Sequence, residues 1–212
     1  MAGSDAAERE AAYRLDEAAY GHTVTRDRGW YDRERARETI DLDGYFITKT
    51  LITNRHYGEF IDATFRPAPT VDRETWDAYR FIHPYERTLA FQWTDGTPPA
   101  SREDHPVVLV SHADALVYAG WLSEATGLWW TLPTELRWEK AARGTDGRTF
   151  PWGDGFDPAR LNSHDLGPFS TLPVASFPAG DSPFGVTDVA GQVFEWTVTE
   201  FRSGRYLVKG GS

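Results

Sequence analysis

Apolar positions recur at helical spacing in three stretches of the chain. Thr53 or Asn54 suits an N-cap, and behind it Tyr57, Phe60 and Ile61 fall at i, i+3 and i+4, one face of a short helix. The Pro-rich run from Arg66 to Thr70 ends that helix. Ser111 caps a second helix, with Asp114 in its first turn, Tyr118 and Leu122 one turn apart, and Gly127 as the stop. A third starts at Thr134. Its stripe is Trp138, Ala141 and Ala142, Glu139 and Arg143 form a favourable i, i+4 pair, and Gly144 closes it. Two stretches carry strand character instead. TIDLDGYFIT, from Thr39, places Ile40, Leu42 and Phe46 on one parity, and PVVLV, from Pro106 to Val110, predicts a short buried strand. Beyond Gly144 the pattern predicts loops and short strands.

The first residues behave differently. Asp5 caps a helix with Glu8 closing a capping box, and Gly21 stops it. From Arg26 to Arg37 charges alternate without an apolar stripe, which predicts a solvated helix or loose linker. Residues 1–38 are therefore expected to form a charged N-terminal arm, with the domain proper spanning 39–212. Residues 71–106 mix aromatics, Pro and Asp-Gly without a clean period. Helices first and irregular β afterwards predict an α+β domain, not a βαβ array.

Composition sharpens this picture. A chain of 212 residues suits one domain with a sizeable core. Nine Trp, twelve Phe and nine Tyr stand beside thirteen Pro and nineteen Gly, so rings are expected to pin irregular segments. A formal charge of −10 disfavours nucleic acid and anionic membrane surfaces and favours a bound divalent cation. With no cysteine, these residues form no disulfide and supply no thiol. The N-terminus lacks a signal-peptide core, and no apolar run is long enough for a bilayer, so a cytoplasmic protein is expected. Ser111 and Ser163 have His neighbours but sit in no Gly-x-Ser-x-Gly elbow, and no phosphate-cradling Gly loop occurs. His83, His105 and His112 lack the spacing of a metal-binding helix.

Six ordered blocks carry a resemblance: FITKTLITNRHYGEF (46–60), HPVVLVSHADALVYAGWL (105–122), LPTELRWEKAARG (132–144), FPWGD (150–154), PVASFPAGDSPFGVTDVAGQVFEWT (173–197) and YLVKGGS (206–212). In this order and spacing the chain resembles the sulfatase-modifying-factor family, which includes formylglycine-generating enzymes and the ergothioneine and pyoverdine enzyme relatives. The resemblance implies an irregular C-type-lectin-like, formylglycine-generating-enzyme fold with little regular secondary structure. It also implies calcium. One site would use the Gly191 and Val193 carbonyls with the side chains of Gln192 and Glu195, where Gln192 replaces the family's usual Asn. A second would use Asn162, the Ser163 carbonyl and Asp165. The alternative is that Glu195 and Asn162 merely cap or staple loops. His112, Arg137 and Phe194 stand where Trp, Glu and Trp are common.

The resemblance further implies oxygen-dependent oxidation of a cysteine in a protein or peptide substrate, that is formylglycine generation, or a related oxidoreductase reaction. In those oxidases two cysteines just beyond the Gly-Gly-Ser block bind copper(I), whereas this sequence stops within the block at Ser212. The domain is accordingly expected to be incomplete at its C-terminus. Copper or iron is expected only if a missing C-terminal segment or another domain supplies ligands, which leaves open whether this chain is an enzyme. The alternative function is a non-catalytic C-type-lectin-like ligand-binding module.

Overall fold

A computed structural model describes residues 1–79, 83–163 and 170–211. Local capping signals decide its helices. Asp5 and Glu8 form the expected capping box at the start of α1 (Ala6–Tyr20), and Gly21 closes it in the left-handed conformation. A single turn, α2 (Val24–Asp27), follows. Thr53 caps α3 (Asn54–Thr64), which ends at Phe65, before the Pro-rich run. Within the aperiodic stretch lie α4 (Arg73–Tyr79) and a 3-10 segment, Tyr85–Ala90. Ser111 caps α5 (His112–Thr126), stopped by Gly127, and Thr134 caps α6 (Glu135–Arg143), stopped by Gly144.

Two cores result. Tyr57, Phe60 and Ile61 of α3 pack with Trp93 and with Tyr118 of α5. Trp138, Ala141 and Ala142 of α6 pack with Val186 and Val189, and Ile47 leans on them. The N-terminal segment is not a loose linker. Ala2 and Ser4 bridge to Glu38 and Ala36. Gly3 N and Arg143 Nη1 both donate to Glu139 Oε1, at 2.8 and 2.7 Å, while Arg37 pairs with Glu8. Charge alternation hid this, because the segment is held by ion pairs and backbone contacts instead of an apolar stripe.

Three strand expectations need correction. Residues 39–48 join no ladder: Tyr45 Oη donates to the Arg137 carbonyl at 2.5 Å, Ile47 packs on the α6 core, and Phe46 is left 99% exposed. PVVLV makes one bridge, Thr53 to Pro106, and Val107 N donates to Ile52 O at 2.9 Å; the left-handed Leu109 (φ 60°) then breaks the extension. Regular β structure lies after Gly144, where short strands were expected. The twelve-residue β1 (Gly191–Arg202) pairs antiparallel with β2 (Arg205–Gly211). Glu195 faces Lys209 and Trp196 faces Val208, with irregular register on either side.

Side-chain contacts pin this hairpin to the helices. Trp196 Nε1 donates to Val110 O at 3.0 Å, Thr199 Oγ1 accepts from Glu135 N at 2.8 Å, and Lys209 pairs with Glu135 at 3.1 Å. His112 stacks on Tyr206 at 3.6 Å. Among the described residues no helix is long and apolar enough to cross a membrane.

Candidate cation site at the base of the hairpin

The hairpin enters through a backbone that glycine makes possible. Gly191 has φ 82°, and a Cβ there would lie 2.5 Å from the Asn162 carbonyl oxygen, so the two segments touch only because the side chain is absent. Gln192 follows at φ 67° and donates its N–H to that carbonyl at 2.9 Å. Its side chain makes three hydrogen bonds. Gln192 Oε1 accepts from Asn162 Nδ2 at 2.8 Å and from Leu172 N at 3.0 Å, while Nε2 donates to Leu172 O at 3.1 Å. Gln192 is thus a strut between Asn162 and the 170–172 strip, with its amide oxygen already occupied twice.

Glu195 is in a different state. α6 carries Trp138 against β1, and its Nε1 donates to Glu195 Oε1 at 2.9 Å. Burial pushes the Glu195 carboxyl up to about 7; the Trp138 hydrogen bond opposes the rise and the negative charge of Asp188 adds to it. Asp188, at left-handed φ 57°, is raised too, chiefly by burial. Its Oδ2 accepts from Ala175 N at 2.7 Å and Thr187 Oγ1 at 3.2 Å. Next to it, Asp181 Oδ1 is buried without a hydrogen-bond partner. Neither Glu195 nor Asp188 has a cationic partner among the described residues.

The carbonyls of this turn lie close by. Gly210 (φ 74°) sits across from them, and a Cβ there would come within 3.1 Å of Val193 O and 3.7 Å of Val189 O. Two interacting, desolvated carboxylates beside a glycine-opened set of carbonyls are hard oxygen donors of the kind calcium takes. No group of three His, Cys, Asp or Glu side chains forms a ligand cluster among the described residues, so a cation here would draw on backbone oxygens as well.

Of the other sequence-expected ligands, Asn162 and Ser163 are both buried. Asn162 Nδ2 donates to Ser170 O at 2.9 Å as well as to Gln192, which fixes the amide orientation. Ser163 Oγ is buried without a partner. Asp165 lies outside the described residues. The structure therefore joins the two expected sites through the Asn162–Gln192 hydrogen bond and adds Asp188, which sequence reasoning missed. The available signal was an acid in TDVAG just before the hairpin glycine.

Two cavities flank β1. One, of about 460 Å³, is bordered by Phe91, Val108, Ser163, Thr171, Trp196 and Val208. The other, of about 750 Å³, runs between residues 44–48, α5, the Leu128–Pro133 segment and β1. Of the three histidines considered, His83 borders the 460 Å³ cavity and the other two are engaged elsewhere. His105 Nδ1 bonds Thr171 Oγ1 at 2.9 Å, and its pKa is lowered by burial and by Arg102, while His112 Nε2 bonds Thr197 O at 3.1 Å.

The sequence pattern of the "Sulfatase-modifying factor enzyme 1-like domain" matches residues 14–212. The chain belongs to the sulfatase-modifying-factor family. It is 30% identical to the formylglycine-generating enzyme of Mycobacterium tuberculosis, over 81% of this chain and 69% of that protein. It is also 30% identical to a hercynine oxygenase of Mycolicibacterium thermoresistibile, over 81% of this chain but 39% of that one, so it spans well under half of this second relative. PvdO from Pseudomonas aeruginosa shares the fold, with TM-score 0.56 and 24% identity over 77% of this chain and 66% of that one. The architecture is thus the formylglycine-generating-enzyme-like fold, in a family of oxidative enzymes.

Proposed function

We propose that this chain is the calcium-stabilised scaffold of an oxygen-dependent oxidoreductase that acts on a thiol, with a cysteine-bearing peptide as its substrate. The observation that carries this reading is the family match across residues 14–212, with a formylglycine-generating enzyme among the relatives. Calcium would be held by the Glu195 and Asp188 carboxylates with carbonyls of the Val189–Val193 turn, and its charge would allow both acids to ionise side by side. Gln192 acts as a strut in this assignment, and Asn162 with the Ser163 carbonyl would serve the second site.

Copper(I) is a separate matter. It requires soft thiolate ligands. The sequence has no cysteine and one methionine, so these residues do not fit that ion, and no step is routed through it. What the chain's own residues offer is a place for the substrate. In the 460 Å³ cavity, Phe91 and Trp196 shelter the ligand from water, and the orphaned Ser163 hydroxyl accepts or donates a hydrogen bond.

Peptide titrations followed by tryptophan fluorescence test the substrate assignment. A short cysteine-containing peptide is expected to bind about tenfold more tightly than its alanine counterpart, and Ser163→Ala is expected to remove most of that difference. Equal affinity for the two peptides, unaltered by the substitution, would reject a thiol substrate in this cavity.

A further inference from the structure

Arg137 runs against two local rules. It is the third residue of α6, and its backbone N–H donates to the capping Thr134 Oγ1 at 3.2 Å. A Glu or Gln side chain at that position would reach back and complete a capping box, as Glu8 does in α1. A cation in the first turn also opposes the helix dipole. Glu135 answers the dipole in the same turn, but its carboxylate pairs with Lys209 and not with Arg137. In a chain of net charge −10, Arg137 makes no ion pair with any described residue; its guanidinium lies over the Tyr45 ring, 5.6 Å from the centroid. That half-buried cation borders the 750 Å³ cavity.

The remainder of the cavity is mostly apolar. Leu51 and Leu122 supply aliphatic wall, and the rim exposes Leu128 (62%) and Trp129 (83%) to solvent. Exposed large apolar side chains gathered around one opening mark a binding surface. The volume is in the range of small-molecule sites, which pair apolar walls with a few polar groups.

We propose that this cavity binds an amphiphilic carboxylate, an alkyl or aryl acid whose head pairs with Arg137 and whose body lies along Leu51, Leu122 and Trp129. Charge complementarity selects the head group: a guanidinium without a carboxylate, flanked by an aromatic face, forms a bidentate pair with an incoming acid. The guanidinium makes this a specific site and not a general apolar surface.

Laurate below its micellar concentration and the uncharged dodecanol, each titrated against tryptophan fluorescence, separate the possibilities. Laurate is expected to bind at least about tenfold more tightly than dodecanol. Arg137→Glu is expected to erase that preference and leave dodecanol binding within about twofold. Arg137→Glu completes the capping box, so a melting temperature at or above that of the unsubstituted protein reports intact folding; Arg137→Leu serves as a second variant that adds no negative charge. Equal affinity for laurate and dodecanol, laurate binding indifferent to both substitutions, or no binding of either molecule would overturn the proposal. So would self-association through this face that laurate fails to disperse.

Discussion

Without calcium, raising the pH from about 4.5 to 8 is expected to lower the melting temperature, and adding calcium at pH 8 is expected to restore it. The sign follows from Glu195. Its folded-state pKa is raised from 4.5 to about 7, so the folded protein holds the proton more tightly than the unfolded chain. The stability contributed by protonation is fully present below about pH 4.5 and is lost as pH climbs through about 7. The loss is on the order of 3 kcal/mol, and the raised pKa of Asp188 adds to it in the same direction. A cation held between the two carboxylates removes the cost of ionising them. At a hundredfold excess over its dissociation constant, calcium contributes about 2.7 kcal/mol. For a domain of this size that is roughly 5–10 °C. In Glu195→Gln both the pH dependence and the calcium response should shrink together, because the amide still accepts from Trp138 but carries no charge. Thermal scans at several pH values, with calcium and with chelator, give the answer. A protein whose stability is indifferent to calcium at pH 8 would remove the cation from the account.

Phe60→Ala is expected to be the most damaging single truncation, costing about 3–5 kcal/mol. Phe60 is 1% exposed and meets Tyr57 at 5.1 Å, Tyr118 at 5.5 Å and Trp121 at 5.6 Å, ring centroid to ring centroid. Removing it opens a cavity bounded by three rings of two different helices, and rigid aromatic neighbours collapse poorly into such a space. Urea unfolding should show a lowered midpoint with an unchanged slope. A loss below about 1 kcal/mol would mean that the α3–α5 core is not the centre of stability assigned to it.

The two cores differ in how far the sequence announced them. Tyr57, Phe60 and Ile61 were legible because helical spacing and a capping threonine are local signals, and the same holds for Trp138, Ala141 and Ala142 behind Thr134. What completes each core was not legible. Trp93 comes from an aperiodic stretch, and Val186 and Val189 precede a hairpin whose length no local period revealed. The opposite error arose at Thr39, where strand parity was present but no ladder partner was, so the tertiary environment overrode the pattern.

The candidate site divides in the same way. Gly191 entered the sequence reading as a carbonyl ligand, and the structure shows why glycine stands there, with the Asn162 carbonyl where a side chain would be. Gln192 was read by position as a ligand, yet its acceptors and donors lie 20 and 30 residues away at Leu172 and Asn162, a distance no local pattern spans. Asp188 escaped notice because the acid in TDVAG is a weak signal until its neighbour across the turn is known. Trp138 was assigned to the apolar stripe, which is correct for its ring and silent about the indole N–H that finds Glu195. Arg137 entered the sequence reading only as a residue standing where the family commonly has Glu, and the cavity it borders is visible only in the fold.

Terbium luminescence tests the central claim most directly, since an ion at Glu195 would sit beside the Trp138 indole, whose Nε1 is 2.9 Å from the carboxylate. Exciting tryptophan in the terbium-loaded protein should give sensitised emission that calcium displaces, that Gln192→Ala largely retains, and that Glu195→Gln abolishes. Emission that survives Glu195→Gln unchanged, or never appears in the unsubstituted protein, would contradict a cation site at the base of the hairpin.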